Sequence, residues 1–282
     1  MSAIYRSEAG ARSVRERYLQ FLDRWPVSSE RITVPTREGE TFVLSCGPKE
    51  APPLLLFHGS GANATMWMGD IVEWSKHFRI YAVDVIGEPG LSAPSRPKLD
   101  SDAYALWLDD VMKGLGVERA AIVGVSLGGW LALDFATRRP ERVAKLALLC
   151  PGGVGQQKAG WMLFLPLLFM GGWGRRKMRE RILGRAQSIS SPMINEIGDF
   201  ISLVFTHFRP RTGKLPIFSD KALRALTMPV MAVVGAKDAL LNSQQTKSRL
   251  ERNVRNADVR LLPDAGHLIR DQTKPVAEFL MR

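Results

Sequence analysis

Ser126 stands between two glycines, Gly124 and Gly128, where an apolar run at 120–125 gives way to a helical pattern from Leu127. A strand that turns straight into a helix forces the residue at its apex into a strained backbone conformation. The residues two before and two after must then be small, or their side chains collide. In return the hydroxyl is exposed at the carboxyl edge of a sheet, with a helix N-terminus aimed at it. A serine hydroxyl is a poor nucleophile at neutral pH. It needs a base to take its proton, and the base needs a carboxylate to orient it.

The chain has 4 histidines to supply that base. His58 lies inside His58-Gly-Ser-Gly61, where burial and a loop-tying role are expected. His77 sits near a helix end and His207 in a helical insertion. His267 follows Leu261-Leu-Pro-Asp-Ala-Gly266 on the loop leaving the last strand, at the same sheet edge as Ser126, and is the expected base. The acid is expected at another strand end between serine and histidine, and Asp238 in Val233-Val-Gly-Ala-Lys-Asp238 meets that requirement. The loop after the strand at 143–150 has no carboxylate, Asp264 reads as a solvated turn residue, and Asp134 lies on the helix behind the serine, pointing away. Two donors must also converge on the oxyanion. The Leu127 N–H is one, because it follows the nucleophile at the helix start. Ser60, after His58-Gly59 at another strand end, is the expected second. Gly59 and Gly61 would let that loop approach substrate closely.

The elements that must hold these groups are readable in outline. Residues 31–35 and 41–46 read as a hairpin, hence antiparallel. Strands follow at 53–57, 78–85, 120–125 and 143–150. Helices are expected at 65–76, 102–115 and 127–138. From about 154 to 215 no strand pattern appears. Alternation resumes with helices near 220–225 and 243–254, strands at 229–234 and 258–262, and a last helix from 274. A leading hairpin followed by strand–helix alternation predicts an α/β fold. The sheet is mostly parallel, with helices on both faces. The expected organisation is a core of residues 1–153 and 216–282, with a helical cap of residues 154–215 inserted after the sixth strand. Chemistry in such sheets sits beyond the carboxyl ends of the strands.

The matching pieces taken together, HGSG at 58–61, the loop DVIGEPGLS at 84–92, GVSLGG at 124–129, GAKD at 235–238 and AGH at 265–267, resemble the α/β-hydrolase superfamily over nearly the whole chain. Within it the chain is similar to small bacterial carboxylesterase-like members. The resemblance implies the α/β-hydrolase fold, a Ser126–Asp238–His267 triad, the Ser60/Leu127 oxyanion pair, hydrolysis of a small-molecule ester through an acyl-enzyme, and no cofactor. One loop departs from the pattern. The family's D-x-x-G-x-G-x-S has one residue between its glycines, whereas Glu88-Pro89 separate Gly87 from Gly90 here, which predicts a reshaped pocket wall. Similar HGSG-containing enzymes hydrolyse a carbon–carbon bond in dienoic diketones, and some members on this fold bind a ligand without turnover. Both readings remain open from sequence.

Composition bounds the rest. The chain has 282 residues, 45% hydrophobic and 24% charged, and 2 cysteines. Cys46 and Cys150 sit in or beside apolar strands and read as buried thiols. No Cys/His cluster has metal-ligand spacing, so no metal is expected. Net charge is +11. The charges are dispersed apart from 175–185 and no nucleic-acid motif accompanies them, so a solvated cationic face is expected and no nucleic-acid partner. The N-terminal 24 residues pattern as an amphipathic helix with Val14, Tyr18, Phe21 and Leu22 on one face. They lack the apolar core of a secretion signal, which predicts a cytoplasmic protein. The apolar run Trp161–Met170 is too short to span a bilayer. It reads as pocket lining, with Trp161 and Phe164 against an acyl group, and a membrane-surface contact is the lesser expectation. Trp67 is expected in the core or at the pocket wall, and as pocket wall it would bind substrate.

Overall fold

A computed structural model describes residues 4–158 and 192–282. It contains one eight-stranded sheet in the order β1-β2-β4-β3-β5-β6-β7-β8. The strands are β1 Ser29–Thr36, β2 Gly39–Cys46, β3 Pro53–Phe57, β4 Arg79–Val83, β5 Ala120–Val125, β6 Val143–Leu149, β7 Val230–Gly235 and β8 Ala257–Leu262. β1 and β2 form the expected antiparallel hairpin, and β2 joins β4 antiparallel. Every other pairing is parallel.

Period-two alternation divides the core in two, because successive side chains of a strand point to opposite faces. Leu55, Phe57, Ile122, Leu146, Leu148, Val230 and Ala232 face one buried layer. That layer is completed by helices α3 Ala103–Gly114, α4 Leu127–Arg138 and, further along the chain, Ser243–Asn253. Leu54, Leu56, Ala121, Val123, Ala147, Met231 and Val233 face the other. Helix α1 Glu8–Asp23 covers that second face with Val14, Tyr18, Phe21 and Leu22, the residues its amphipathic pattern singles out. Each fully buried leucine contributes about 2 kcal/mol by leaving water, so the two layers dominate the stability of the sheet.

One element differs from expectation. The stretch 65–76 is not one helix but a 3-10 turn, Ala64–Trp67, and a single α-turn, α2 Ile71–Trp74. The Asn63 side chain caps Thr65 N–H at 3.2 Å, and the chain breaks at Gly69-Asp70 before it can propagate. Between β6 and β7 the described residues include a 16-residue helix, α5 Pro192–His207. Its Phe200 stacks on Tyr18 and meets Phe21 of α1, with ring centroids 6.3 and 5.2 Å apart. The other α-helices among the described residues are α6 Asp220–Arg224, α7 Ser243–Asn253 and α8 Thr273–Met281. Among the described residues, no helix is long and apolar enough to cross a membrane. Trp161, Phe164 and the basic run 175–185 lie outside the described residues.

The parallel register aligns the strand ends that matter. Phe57 pairs with Val83 and Gly124, Val125 with Leu149, Leu149 with Val233, and Gly235 with Leu262. The chain therefore delivers His58, Asp84, Ser126, Cys150, Asp238 and His267 to one rim.

Candidate active site

Ser126 caps β5 with φ 52° and ψ −107°, a conformation that costs a non-glycine residue about 1–3 kcal/mol. Three backbone hydrogen bonds hold it there. Ser126 N–H donates to Leu149 O at 3.0 Å, and Ser126 O accepts from Trp130 N–H at 3.0 Å and Gly152 N–H at 3.1 Å. The flanking glycines are required by contact. A Cβ on Gly124 would lie 2.5 Å from Gly128 O, and one on Gly128 would lie 2.1 Å from Phe57 O. A serine at a helix N-cap ordinarily bonds its hydroxyl to the first turn. Ser126 makes no such bond, unlike Ser7 and Ser219, whose side chains cap α1 and α6. The Ser126 hydroxyl instead meets His267 Nε2 at 3.0 Å.

His267 Nδ1 lies 2.8 Å from Asp238 Oδ2. An ionised carboxylate only accepts, so Nδ1 carries the proton and Nε2 presents its lone pair to the serine. Asp238 is buried, and its Oδ1 accepts from Leu240 N–H at 2.7 Å and Leu241 N–H at 3.0 Å. Burial alone would raise its pKa. The bond and charge of His267 and the two amides outweigh burial and hold the carboxyl below its ordinary range. Asp264 and Asp134 are engaged elsewhere, the first exposed and paired with Lys237, the second paired with Arg138.

Cys150 follows β6 as a buried free thiol. Its ligand atom and those of Asp238 and His267 lie within 4.8 Å of one another, a spacing that could hold a cation. Burial, and then the Asp238 charge, push the thiol pKa up. A protonated thiol is a poor ligand, and His267 and Asp238 already satisfy each other, so the set fits a proton relay better than a metal.

The loop 58–61 lies beside the serine: a Cβ at Gly59 would be 3.7 Å from Ser126 Cβ. His58 is buried, its Nε2 accepts from Val85 N–H at 2.9 Å, and its Nδ1 therefore donates to Gly59 O at 2.9 Å. Burial lowers its pKa to about 4, so it stays neutral and ties two loops together. The Leu127 amide belongs to the first turn of α4, where no i−4 carbonyl exists to accept it. The Ser60 amide has no acceptor among the described residues. The Ser60 hydroxyl is taken, donating to Glu88 Oε2 at 3.2 Å.

Trp67 is a correction. It is 1% exposed and packs on Trp74 with ring centroids 5.8 Å apart, inside the core, out of reach of a substrate. The 3-10 turn rotates its indole onto the sheet and leaves the neighbouring Met66, whose Cε is 3.9 Å from a Cβ position at Gly59, toward the loop. Glu88 is the residue that sequence reasoning missed. It is fully buried, and its Oε2 accepts from Gly61 N–H at 2.6 Å. The signal was the surplus residue in the 84–92 loop: an acidic side chain inserted between glycines reshapes more than a wall.

Similarity to known proteins agrees with this geometry. The Alpha/beta hydrolase family profile matches residues 54–279. Carboxylesterase YbfK of Bacillus subtilis (strain 168) is 31% identical over 261 residues, covering 89% of this chain and 86% of the relative. The uncharacterized carboxylesterase nap of the same organism is 29% identical over 280 residues, covering 94% and 90%. The crystal structure of naproxen esterase (carboxylesterase NP) from Bacillus subtilis superposes with a TM-score of 0.82 at 30% identity, covering 95% of each chain. By the extent of the profile match and by these relatives, the chain belongs to the alpha/beta hydrolase family.

Proposed function

We propose that the protein hydrolyses carboxylic esters of moderate size and low polarity through an acyl-enzyme, with Ser126 as nucleophile, His267 as base and Asp238 as its orienting carboxylate. The observation that carries this reading is the unbroken chain from Ser126 Oγ to His267 at 3.0 Å and from His267 to Asp238 at 2.8 Å. Esterase activity of the relatives supports the choice of substrate bond.

In the proposed sequence, His267 Nε2 takes the Ser126 hydroxyl proton as the oxygen attacks the ester carbonyl carbon. The Leu127 and Ser60 amides donate to the resulting oxyanion. The imidazolium returns its proton to the departing alkoxide oxygen, leaving the acyl group on Ser126. Water then attacks the acyl carbon and loses a proton to Nε2, and collapse releases the acid and returns the proton to Ser126. Protons and electrons balance with these residues and water alone. Residues 154–215 form the proposed cap and the acyl side of the pocket. Phe205 of α5 supports that placement: it is 50% exposed, and its ring is 3.3 Å from a Cβ position at Gly61.

The test is covalent labelling by a fluorophosphonate probe. The wild type is expected to be labelled once per chain and Ser126→Ala not at all. Labelling of Ser126→Ala at the wild-type rate would reject the nucleophile.

A further inference from the structure

We propose that Glu88 is a positioning residue for the oxyanion site: its buried carboxylate clamps the 58–61 loop through the Gly61 amide and the Ser60 hydroxyl, so that the Ser60 amide is held toward the reacting carbonyl. This inference rests on the reading of Ser60 as an oxyanion donor.

The geometry is specific. Gly61 N–H belongs to the peptide plane that joins Ser60 to Gly61, and it donates to Glu88 Oε2 at 2.6 Å. The Ser60 side chain donates to the same oxygen at 3.2 Å. One carboxylate oxygen thus restrains Ser60 through its backbone on one side and its side chain on the other. A charged acceptor makes shorter and stronger bonds than a neutral one, which suits a clamp on a single loop. The 84–92 loop that carries Glu88 is itself anchored to the same strand ends. Asn63 donates to Pro89 O at 2.9 Å, and Asp84 accepts from Leu91 N–H at 2.8 Å. The two residues that separate Gly87 from Gly90, where the family pattern has one, both bond to the 58–63 segment.

An anion beside a developing oxyanion would oppose it unless its charge is offset. Arg211, on the chain that follows α5, approaches Glu88 Oε1 at 3.7 Å. Neither Oε1 nor Arg211 Nε has a hydrogen-bond partner among the described residues, so the pair acts by charge across a gap. Arg96, from the loop after Gly87, is the second cation acting on it. Tyr104 of α3, to which the Arg211 guanidinium donates, and Tyr5 of the N-terminal segment also face this carboxylate. Burial pushes Glu88 up to about 7 against the pull of the Gly61 amide, the two arginines and Ser60. The carboxylate is therefore charged above neutrality and increasingly protonated below it. A carboxylic acid is a weaker acceptor, so the clamp loosens as pH falls through that value.

The experiment measures kcat and KM for p-nitrophenyl butyrate between pH 5.5 and 9 on the full chain and its Glu88→Gln, Glu88→Ala and Ser126→Ala variants. Glu88→Ala is expected to lower kcat by about 10²-fold, the size of losing one oxyanion donor, with KM changed less than about threefold. Glu88→Gln keeps the shape and one acceptor. It is expected to lower kcat by about tenfold and to remove the ionisation near pH 7 from the profile. Thermal unfolding of Glu88→Gln reports whether the chain is intact. A Glu88→Gln variant with wild-type kcat and pH profile would overturn the clamp, and so would a loss of kcat by the same factor at every pH. Hydrolysis retained by Ser126→Ala would instead sink the underlying reading of the site.

Discussion

The turn after β5 and the loop after β3 both face the Ser126 hydroxyl, and they are held by different forces. At the β5 turn, position is enforced by excluded volume. Gly124 and Gly128 leave no room for any other residue, and the backbone of Ser126 is bonded on both sides of its strained φ. At the β3 loop, position comes from buried polar groups. His58 is pinned to Val85, and the Gly61 amide and Ser60 hydroxyl to Glu88. Next to them, Asp84 accepts from the Tyr18 hydroxyl at 2.9 Å and the Ala64 amide at 3.0 Å. Steric enforcement is insensitive to pH and salt. A turn held by buried carboxylates inherits their titration, because each anion in a dry site must be compensated. The proposed nucleophile is thus set by a device without a pH dependence of its own, and the proposed oxyanion donor by one that has it.

The largest expected effect falls on the proposed nucleophile. Ser126→Ala should lower kcat for p-nitrophenyl butyrate by about 10⁶-fold, since what remains is binding and oxyanion stabilisation. Residual turnover within 10-fold of wild type would remove Ser126 from the mechanism. Asp238→Asn should lower kcat by about 10⁴-fold, because an amide favours the wrong tautomer of His267. That loss should shrink as pH rises if hydroxide begins to replace the base, which a pH–rate profile would record.

Smaller effects separate the two turns. Gly128→Ala should cost about 3 kcal/mol or more, since the added methyl meets Phe57 O rather than a side chain that can swing away. Urea unfolding measures it, and the loss should be the same at pH 5 and pH 8. Asp84→Asn should act in the opposite manner. Burial raises the Asp84 pKa from 3.8 to about 6, so the folded state binds the proton more tightly than the unfolded chain. That contribution is fully present below pH 4 and is lost as pH rises through about 6, on the order of 3 kcal/mol in all. Asp84→Asn should be less stable than wild type, because one amide oxygen cannot serve three donors. Its stability should nevertheless change less between pH 4 and pH 6. Equal slopes in the two proteins would show that Asp84 does not set the pH response.

Particular residues show why some of this was legible and some not. Ser126, Asp238 and His267 were readable because each is announced locally. The first has flanking glycines between a strand and a helix, and the others stand at the ends of apolar strands in the right order. The alternation of buried strands and amphipathic helices was readable for the same reason, as in α1, whose buried stripe follows from its periodicity. Glu88 and Trp67 were not. Glu88 reads only as part of a reshaped pocket wall, and an aromatic after His-Gly-Ser-Gly reads equally as core or as pocket wall. Which way each side chain turns is set by tertiary packing, through Gly61 and Arg211, both distant in sequence, for Glu88, and through Trp74 and the sheet for Trp67.

The succession of strands and helices along the chain and the candidates for the reactive groups follow from the amino-acid sequence by itself, because side-chain periodicity and the size limits on a tight turn are short-range properties of the chain. The tertiary structure alone decided that a serine hydroxyl, an imidazole and a carboxylate meet at hydrogen-bonding distance, and that a fourth residue, Glu88, reaches the loop beside them. Distances between segments, and the burial that shifts a carboxyl toward neutrality, exist only once the sheet has brought distant strand ends to a common rim.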